Sequence, residues 1–318
     1  MGTSEFAVPT LEALVSAGHE VAAVVTQPDR PSGRGRLVHV SPVKQAAERL
    51  GLPIFQPEKI REHTAVERIK SYAPIDAIVV AAFGQIIPQS ILDIPRYGSI
   101  NVHASLLPKY RGAAPIQHAI MAGETKTGVT TMLMEAGLDT GPILLQREVE
   151  IGPQETAGEL EARLAKLGAD LLIETLDRLE RGEIRPRPQD HSQATMARSL
   201  KREDRQIDWR RPADEIVNLV RAFSPRPGAF TIFDKTEVKV FKAEAAPQSA
   251  EGVPPGQVLE VSGRGVVVAA GEGTVSLIEV QPENRRRMTA REFASGVRLR
   301  AGTRFANPTS PRESLSCK

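Results

Sequence analysis

The chain has very little cysteine and few aromatic residues. Of its 318 residues, 1 is cysteine, 1 is tryptophan, and only 4% are aromatic. Cys317 has no second cysteine to pair with, which excludes an intramolecular disulfide and a cluster of thiolate metal ligands. We therefore expect a protein of the reducing cytoplasm that holds no metal.

Long apolar segments are missing as well. No run of about 18 apolar residues occurs, and the first residues lack the basic and apolar pattern of a secretory signal. We therefore expect neither a membrane span nor export. With 41% hydrophobic and 25% charged residues, a chain of 318 residues can bury a large core. For a chain of this length we expect two domains. We also expect the protein to be a monomer.

The net charge of +2 is small, but the charges are clustered. The first cluster includes a single acidic residue, Asp29, and its basic residues are Arg30, Arg34, Arg36 and Lys44. The second cluster includes two acidic residues, Glu283 and Glu292, and its basic residues are Arg285, Arg286, Arg287, Arg291, Arg298, Arg300 and Arg304. Two basic clusters on a nearly neutral chain favour a polyanionic partner that is held by its phosphates. The alternative is a pair of solvated surface loops.

Apolar segments alternate with helical patterns in the first half of the chain. We predict strands at Val21–Val25, Ala77–Ala82, Ser99–His103, Val129–Met134 and Ile143–Val149, and helices at Pro9–Ala17, Val43–Leu50, Thr64–Tyr72, Pro115–Ala122 and Thr156–Leu179. This order is typical of an α/β domain with a doubly wound, mostly parallel Rossmann-like sheet. We predict that this domain spans residues 1–182.

The second half has a different pattern. A polar, proline-containing stretch over residues 183–206 predicts a linker. Beyond it we predict a helix at Pro212–Ala222 and short strands near Gly228–Phe233, Glu237–Lys242, Gly256–Ser262, Gly265–Ala270 and Thr274–Val280. Short strands at this spacing favour a small β-barrel over residues 207–306, and residues 307–318 are expected to be a disordered tail.

The segment Ser99–Gln117 is the most informative part of the sequence. Its strand alternates apolar residues with Asn101 and His103, which places the amide and the imidazole on one face. Ser105–Pro108 ends the strand, and a basic turn leads to a helix with Pro115 in its first turn. Open α/β sheets place their sites where a strand ends in such a loop. We therefore predict a functional site here.

This segment resembles the folate-binding signature of the 10-formyltetrahydrofolate-dependent formyltransferases. Further segments resemble the members of that family that formylate an aminoacyl-tRNA, and they occur in the same order: Gly2–Leu14, Thr26–Arg36, Ser41–Lys44, Gly137–Gly141, Ile207–Trp209 and Arg221–Phe230. The resemblance implies an OB-like C-terminal domain and 10-formyltetrahydrofolate as co-substrate. It also implies that the formyl acceptor is the α-amino group of methionyl-initiator tRNA, in translation initiation of the bacterial type.

By resemblance, three residues are catalytic. Asn101 offers a neutral amide N–H that can orient the formyl oxygen and stabilise it as it becomes charged. His103 can donate a second hydrogen bond or act as a general acid. Asp139 can hold His103 in one tautomer and help to remove the proton of the amine. Each residue type alone is more often structural, and it is their combination that favours catalysis.

The resemblance also assigns the substrate contacts. Ser105, Leu106, Leu107 and Pro108 would bind the folate, with the two leucines lining an apolar pocket for the pterin ring. The alternative for the leucines is burial in the turn. Phe83–Gly84 would border the same crevice.

The segment Gln27–Lys44 would be a flexible insertion that reaches the acceptor stem of the tRNA. Its expected contacts are Arg34, Arg36 and Lys44, since a guanidinium can grip phosphate and stack on an unpaired base.

Two alternatives to this function stay open. One is a related formyltransferase that acts on a small amine, such as an amino-sugar nucleotide or glycinamide ribonucleotide. The other is a folate-dependent RNA-binding protein without catalysis. The basic segment and the second domain favour the tRNA substrate over the first, and the joint presence of Asn101, His103 and Asp139 argues against the second.

One feature departs from the family pattern. Relatives have an apolar strand before the segment that corresponds to Gly2–Leu14, whereas Met1 directly precedes it here. We therefore expect a truncated first strand, and we predict that translation begins upstream of Met1.

Overall fold

The chain folds as two units in the computed structural model, which describes residues 1–32 and 37–308. Unit 1 comprises Met1–Gly112, Lys126–Glu150 and Glu161–Met196. Unit 2 comprises Ala113–Thr125, Ile151–Leu160 and Ala197–Lys318.

Unit 1 alternates helices and strands, as the sequence predicts. Its elements are α1 (Val8–Ser16), β1 (Val24–Val25), β2 (Arg30–Ser32), β3 (Leu37–His39), α2 (Pro42–Arg49), β4 (Ile54–Phe55), α3 (His63–Lys70), β5 (Ile78–Val80), α4 (Gln89–Leu92), β6 (Ser99–His103), β7 (Lys126–Leu133) and β8 (Ile143–Glu150). Between β6 and β7 the chain forms α5 (Pro115–Met121), which belongs to unit 2. The long helix α6 (Ala157–Glu180) begins in unit 2 and continues in unit 1.

The sheet of unit 1 is mostly parallel. β1 pairs with β4 and β5 pairs with β6 in parallel, while β7 pairs with β6 and β8 pairs with β7 in antiparallel order. Met1 and Gly2 join the two parallel pairs, because the Gly2 N–H donates to the Val25 carbonyl and the Ala81 N–H donates to the Met1 carbonyl, both at 3.0 Å. The α/β class is confirmed.

The first predicted strand is shorter than expected. β1 covers Val24–Val25 and not Val21–Val25, because only these two residues have a strand partner in the described part of the chain.

The amino group of Met1 is buried beside the sheet. It donates a hydrogen bond to the Val79 carbonyl at 2.6 Å, and burial lowers the pKa of this amino group to about 5.

The core of unit 1 fixes the position of β6. Gly168 of α6 lies so close to this strand that a Cβ added to it would be 2.8 Å from the Val102 side chain. Val102 is buried, as is Ile100 on the same strand. Close packing on this side leaves the alternate residues of β6 to face the opposite side of the sheet.

Unit 2 is built around an antiparallel sheet. Its strands run in the order β11 (Val258–Ser262), β12 (Gly265–Ala269), β13 (Thr274–Pro282), β10 (Thr236–Ala246) and β9 (Ala229–Phe233), and β14 (Met288–Thr289) pairs with β13. α7 (Ala213–Ala222) precedes the sheet, as predicted, and α8 (Ala290–Val297) follows it. Trp209 is buried, stacks on Phe305 at 5.6 Å and donates from Nε1 to Thr231 Oγ1 at 3.0 Å.

The segments predicted as linker and tail are packed in part. Within 183–206, Gln189 and Ala197 are buried, and the Thr195 carbonyl accepts a hydrogen bond from the Arg111 N–H at 2.8 Å. At the start of 307–318, Asn307 Oδ1 accepts the Trp209 N–H at 2.9 Å. The rest of that tail from residue 309 lies outside the described residues. Local composition predicts polar character here, but it does not predict the long-range hydrogen bonds that hold these residues.

Candidate active site

Asn101 and His103 lie two residues apart on β6. The strand is bonded on both edges, by β5 in parallel and by β7 in antiparallel order. In the second pairing Asn101 is opposite Met132 and His103 is opposite Thr130. Because the strand is hydrogen-bonded on both edges, its main chain is rigid and holds these side chains in fixed positions. A preorganised site requires such rigidity.

Asp139 lies on the connection between β7 and β8 and meets both residues. Its Oδ1 accepts a hydrogen bond from Asn101 Nδ2 at 3.2 Å, and its Oδ2 accepts the Gly112 N–H at 2.8 Å. His103 Nδ1 lies 3.6 Å from the same Oδ2. The structure therefore brings together the amide, the imidazole and the carboxylate that the sequence singles out.

The two ring nitrogens of His103 have different partners. Nε2 lies 2.9 Å from the Tyr110 carbonyl, and a carbonyl only accepts, so Nε2 carries a proton and donates it. Nδ1 faces Asp139 beyond hydrogen-bond distance. The Tyr110 carbonyl therefore favours the tautomer with a proton on Nε2, whereas the resemblance implies that Asp139 holds the tautomer. The imidazole is 6% exposed.

The glycines around Asp139 are required by close packing. A Cβ on Gly141 would lie 1.9 Å from the Leu133 carbonyl oxygen, and one on Gly137 would lie 2.1 Å from Thr140 Oγ1. Asp139 itself has a φ of 51°, in the left-handed region that few residues other than glycine adopt. The GLDTG pattern therefore encodes a tight connection that presents one carboxylate.

The predicted folate segment is anchored to the sheet. Thr130 Oγ1 donates to the Ser105 carbonyl at 2.7 Å, and Gln146 Nε2 donates to the Leu107 carbonyl at 2.9 Å. The Leu107 side chain is buried in a cluster with Met132 and Ile143.

The peptide bond from Leu107 to Pro108 is cis. Leu106 is half-buried, and its side chain packs so close to Gly128 of β7 that a Cβ there would lie 2.5 Å from Leu106 Cδ2.

Other apolar side chains near the sheet differ in exposure. Phe83 is buried in a hydrophobic cluster with residues of β5 and α4, so its ring supports the sheet. Leu138, next to Asp139, is 60% exposed, and Ile86, after β5, is 87% exposed. Single exposed apolar side chains are common on protein surfaces, so these two do not by themselves mark a ligand site.

Sequence reasoning missed two residues that support the site. Arg111 and Gln189 are both buried, and Gln189 Oε1 accepts hydrogen bonds from Arg111 Nη2 at 2.7 Å and Nε at 3.1 Å. Gln189 lies in the stretch that the sequence predicts as a linker. No local pattern marks it, since its partners are 48 to 78 residues away along the chain.

The described part of the basic segment Gln27–Lys44 contains two short strands. β2 and β3 pair in antiparallel order within it, with Arg30 opposite His39. Lys44 Nζ is paired with the Asp29 carboxylate, whose other oxygen accepts from Gln56 Nε2 at 2.9 Å. A phosphate contact by Lys44 would have to open this pair. Arg34 and Arg36 lie outside the described residues.

The second basic cluster surrounds β14 and α8 in unit 2. The Arg287 guanidinium lies 3.5 Å from the centre of the Phe241 ring and 3.8 Å from Glu279. Arg304 donates to the Pro255 carbonyl at 3.0 Å. The Arg286 side chain is 79% exposed, 3.7 Å from Glu292. Part of the cluster therefore stabilises the fold, and part of it faces solvent.

Metal-ligating side chains are scattered over the described residues. Within 1–32 and 37–308, His, Cys, Asp and Glu side chains form no group of three or more that could hold a metal ion. Over the same ranges, every helix is too short or too polar to cross a membrane.

Two family models match the chain. The model described as formyl transferase matches residues 1–176, and the model described as formyl transferase, C-terminal domain, matches residues 199–298. Together with the α/β sheet and the site at the end of β6, these matches define the class as two-domain formyl transferases.

Curated relatives narrow this class. The methionyl-tRNA formyltransferase of Solibacter usitatus is 55% identical over 299 residues, which covers 94% of this chain and 95% of that protein. That of Geobacter metallireducens is 48% identical over 307 residues, covering 96% and 97%. That of Koribacter versatilis is 51% identical over 310 residues, covering 97% and 98%. The chain belongs to the methionyl-tRNA formyltransferase family.

Solved structures of lower identity share the fold. An N-formyltransferase from Helicobacter canadensis, in complex with folinic acid and dTDP-3-aminofucose, has a TM-score of 0.65 at 19% identity and covers 87% of this chain and 96% of that one. HypX from Aquifex aeolicus, in complex with tetrahydrofolic acid, has a TM-score of 0.59 at 20% identity and covers 86% of this chain. This chain matches about half the length of HypX, 47%.

Proposed function

We propose that this chain transfers the formyl group of 10-formyltetrahydrofolate to the α-amino group of methionyl-initiator tRNA. The observation that carries the proposal is the meeting of Asn101, His103 and Asp139 at the carboxyl end of β6. It is supported by relatives that are named methionyl-tRNA formyltransferase and are 55% and 51% identical over nearly the whole chain. The tetrahydrofolic acid complex of HypX supports a folate as the formyl donor.

The reaction is an acyl transfer. The amine nitrogen forms a bond to the formyl carbon, and the bond from that carbon to N10 of the folate breaks. The amine loses a proton and N10 gains one. The chain must therefore orient the formyl oxygen, stabilise the negative charge that develops on it, and hold a proton during the transfer.

Asn101 is suited to the formyl oxygen. An amide has two N–H groups, and the described hydrogen bond to Asp139 Oδ1 at 3.2 Å uses one of them. The same hydrogen bond fixes the amide plane, so the second N–H is held in a defined direction. A fixed neutral donor stabilises a developing oxyanion with little reorganisation.

His103 and Asp139 are suited to the proton. Because Nε2 donates to the Tyr110 carbonyl, Nδ1 is the nitrogen that can accept a proton. The Asp139 carboxylate, 3.6 Å away, would stabilise the imidazolium that results. The same carboxylate accepts the Gly112 N–H, which keeps it aimed at the ring.

The folate is proposed to bind along Ser105, Leu106, Leu107 and Pro108. The anchoring of this segment by Thr130 and Gln146 supports a rigid set of backbone groups for the edge of the pterin ring. Leu106 would supply apolar contact, while the burial of Leu107 supports a structural contribution.

The tRNA is proposed to contact the segment Gln27–Lys44 through Arg34 and Arg36, and through Lys44 if its pair with Asp29 opens. Both guanidiniums suit phosphate groups and unpaired bases. The exposed Arg286 side chain supports a further phosphate contact in unit 2.

The test is a comparison of formyl acceptors. Purified chain is incubated with 10-formyltetrahydrofolate and with methionyl-initiator tRNA, methionyl-elongator tRNA or a dTDP-amino sugar, and the N-formyl product is measured. We expect product on the initiator tRNA far above the other two. Formylation of the amino sugar alone would favour a small-amine formyltransferase, and no product on any acceptor would contradict the proposal.

A further inference from the structure

Gln189 uses all of its hydrogen-bonding capacity beside the proposed site. Its Nε2 donates to the Asp139 carbonyl at 2.9 Å and to the Gly141 carbonyl at 2.7 Å. Its Oε1 accepts from Arg111 Nη2 at 2.7 Å and Nε at 3.1 Å. An amide offers two N–H donors and an oxygen with two lone pairs, so these hydrogen bonds satisfy it completely. The side chain is buried.

The partners determine which way this amide points. Carbonyl oxygens only accept and guanidinium nitrogens only donate, so a flipped amide could form none of these hydrogen bonds. Arg111 is itself held, because its Nη2 lies 3.1 Å from His191 Nδ1 and its backbone N–H donates to Thr195. Gln189 therefore ties the Asp139 connection to the firmly held turn at Arg111.

Asp139 needs such a tie. Its φ of 51° lies in the left-handed region, which Asp adopts more readily than most residues but at some cost, so hydrogen bonds to its main chain help to hold it. The carboxylate is held by Asn101 and Gly112, whereas the main chain of Asp139 is held at its carbonyl by Gln189. A shift of that carbonyl would turn the carboxylate away from His103.

We propose that Gln189 is a positioning residue for formyl transfer, which fixes the main chain of Asp139 and thereby aims its carboxylate at Asn101 and His103. This inference rests on the proposed function. Misplacement of a reacting group by about 1 Å can cost 10²-fold in rate, so the position of one carbonyl is enough to matter.

The test uses Gln189→Glu. The substitution keeps the size of the side chain and the acceptor for Arg111, but it replaces the donor to two carbonyls by an oxygen that they repel. We expect kcat to fall about 10²-fold, while KM for the tRNA stays near that of the wild type. Gln154→Glu is the matched control, because Gln154 is an exposed glutamine. We expect it to keep wild-type kcat.

A second background separates positioning from a general effect on the fold. In Asp139→Asn, the carboxylate is already absent, so adding Gln189→Glu should lower kcat little further. An equal fold-loss in both backgrounds would overturn the inference. If Gln189→Glu does not fold, as its melting temperature would show, Gln189→Met takes its place with the same expected loss in kcat.

The two proposals fail in distinguishable ways. If the wild-type chain forms no N-formyl product on any acceptor, the proposed function fails. If the wild type is active and a folded Gln189→Glu or Gln189→Met variant has the same kcat, the inference about Gln189 alone is wrong.

Discussion

At the scale of single residues, His103 has two nitrogens with separate tasks. Nε2 is committed to the Tyr110 carbonyl, which holds the ring in place, and Nδ1 faces the Asp139 carboxylate. A proton taken up at Nδ1 therefore lies beside a negative charge. The two side chains should act as one unit in the proposed transfer.

This unit can be tested by a double-mutant cycle. We expect His103→Ala and Asp139→Ala each to lower kcat by roughly 10²–10⁴. The double variant should lose much less than the product of the two losses, because each single change already disables the pair. Steady-state kinetics on methionyl-initiator tRNA measures all four forms. Full additivity would show that the two residues act independently.

The sequence predicts some of these residues and misses others, for physical reasons. The alternation along β6 is local, so the placement of Asn101 and His103 is predictable from it. Gln189 depends on three distant partners, and the burial of Phe83 depends on the packing of the whole core. Roles that depend on contacts distant in sequence leave no local pattern.

At the scale of elements, helix α8 is capped at its N-terminus by two residues that lie within the second basic cluster. Thr289 Oγ1 accepts the Glu292 N–H at 3.2 Å, and Glu292 Oε2 accepts the Thr289 N–H at 2.8 Å, which forms a capping box. We expect Thr289→Ala to lower the free energy of unfolding by about 1 kcal/mol, measured by urea denaturation. Thr125→Ala, at an exposed threonine outside the helices and strands, is the control. An unchanged stability for Thr289→Ala would show that the cap contributes nothing.

Helix α5 carries a group that makes stability depend on pH. Burial lowers the pKa of His118 below its ordinary value of 6.5, and its hydrogen bond to the Arg198 carbonyl offsets this in part. The unfolded chain then binds the proton of this histidine more tightly than the folded chain does. The stabilisation that neutral His118 gives is therefore complete above pH 6.5, and it is lost as the pH falls below that value.

We therefore expect the melting temperature to fall on acidification through the range in which free histidine titrates. His118→Gln keeps an N–H donor for the Arg198 carbonyl without a titrating group, so it should reduce this fall. His19→Gln, at an exposed histidine, should leave the fall unchanged. Parallel pH curves for wild type and His118→Gln would contradict the assignment.

The predicted elements agree where the sequence carries a helical period or a clear alternation. The sequence predicts Thr156–Leu179 and the structure has α6 at Ala157–Glu180; Ser99–His103 agrees at both ends. Short pieces such as β2 and β3 were not predicted, because two or three residues carry no measurable period. They exist through pairing with one another.

At the scale of the whole molecule, the clustered positive charges should determine how tRNA binding depends on salt concentration. If Arg34 and Arg36 neutralise phosphates, replacing both by alanine should flatten the plot of log affinity against log salt by about one unit of slope for each phosphate that is no longer neutralised. Filter-binding or fluorescence titration at several salt concentrations measures this. Arg185→Ala, an exposed arginine outside both basic clusters, should change the slope less. An unchanged slope for the double variant would make this segment an ordinary surface loop.

The central claim is that the site at the end of β6 performs formyl transfer, and Asn101 tests it most directly. Because its amide acts on charge that develops during the reaction, Asn101→Ala should lower kcat on methionyl-initiator tRNA by roughly 10²–10³. The dissociation constant for the tRNA, measured on the same preparation, should stay near that of the wild type. A folded Asn101→Ala variant with near wild-type kcat would contradict the account.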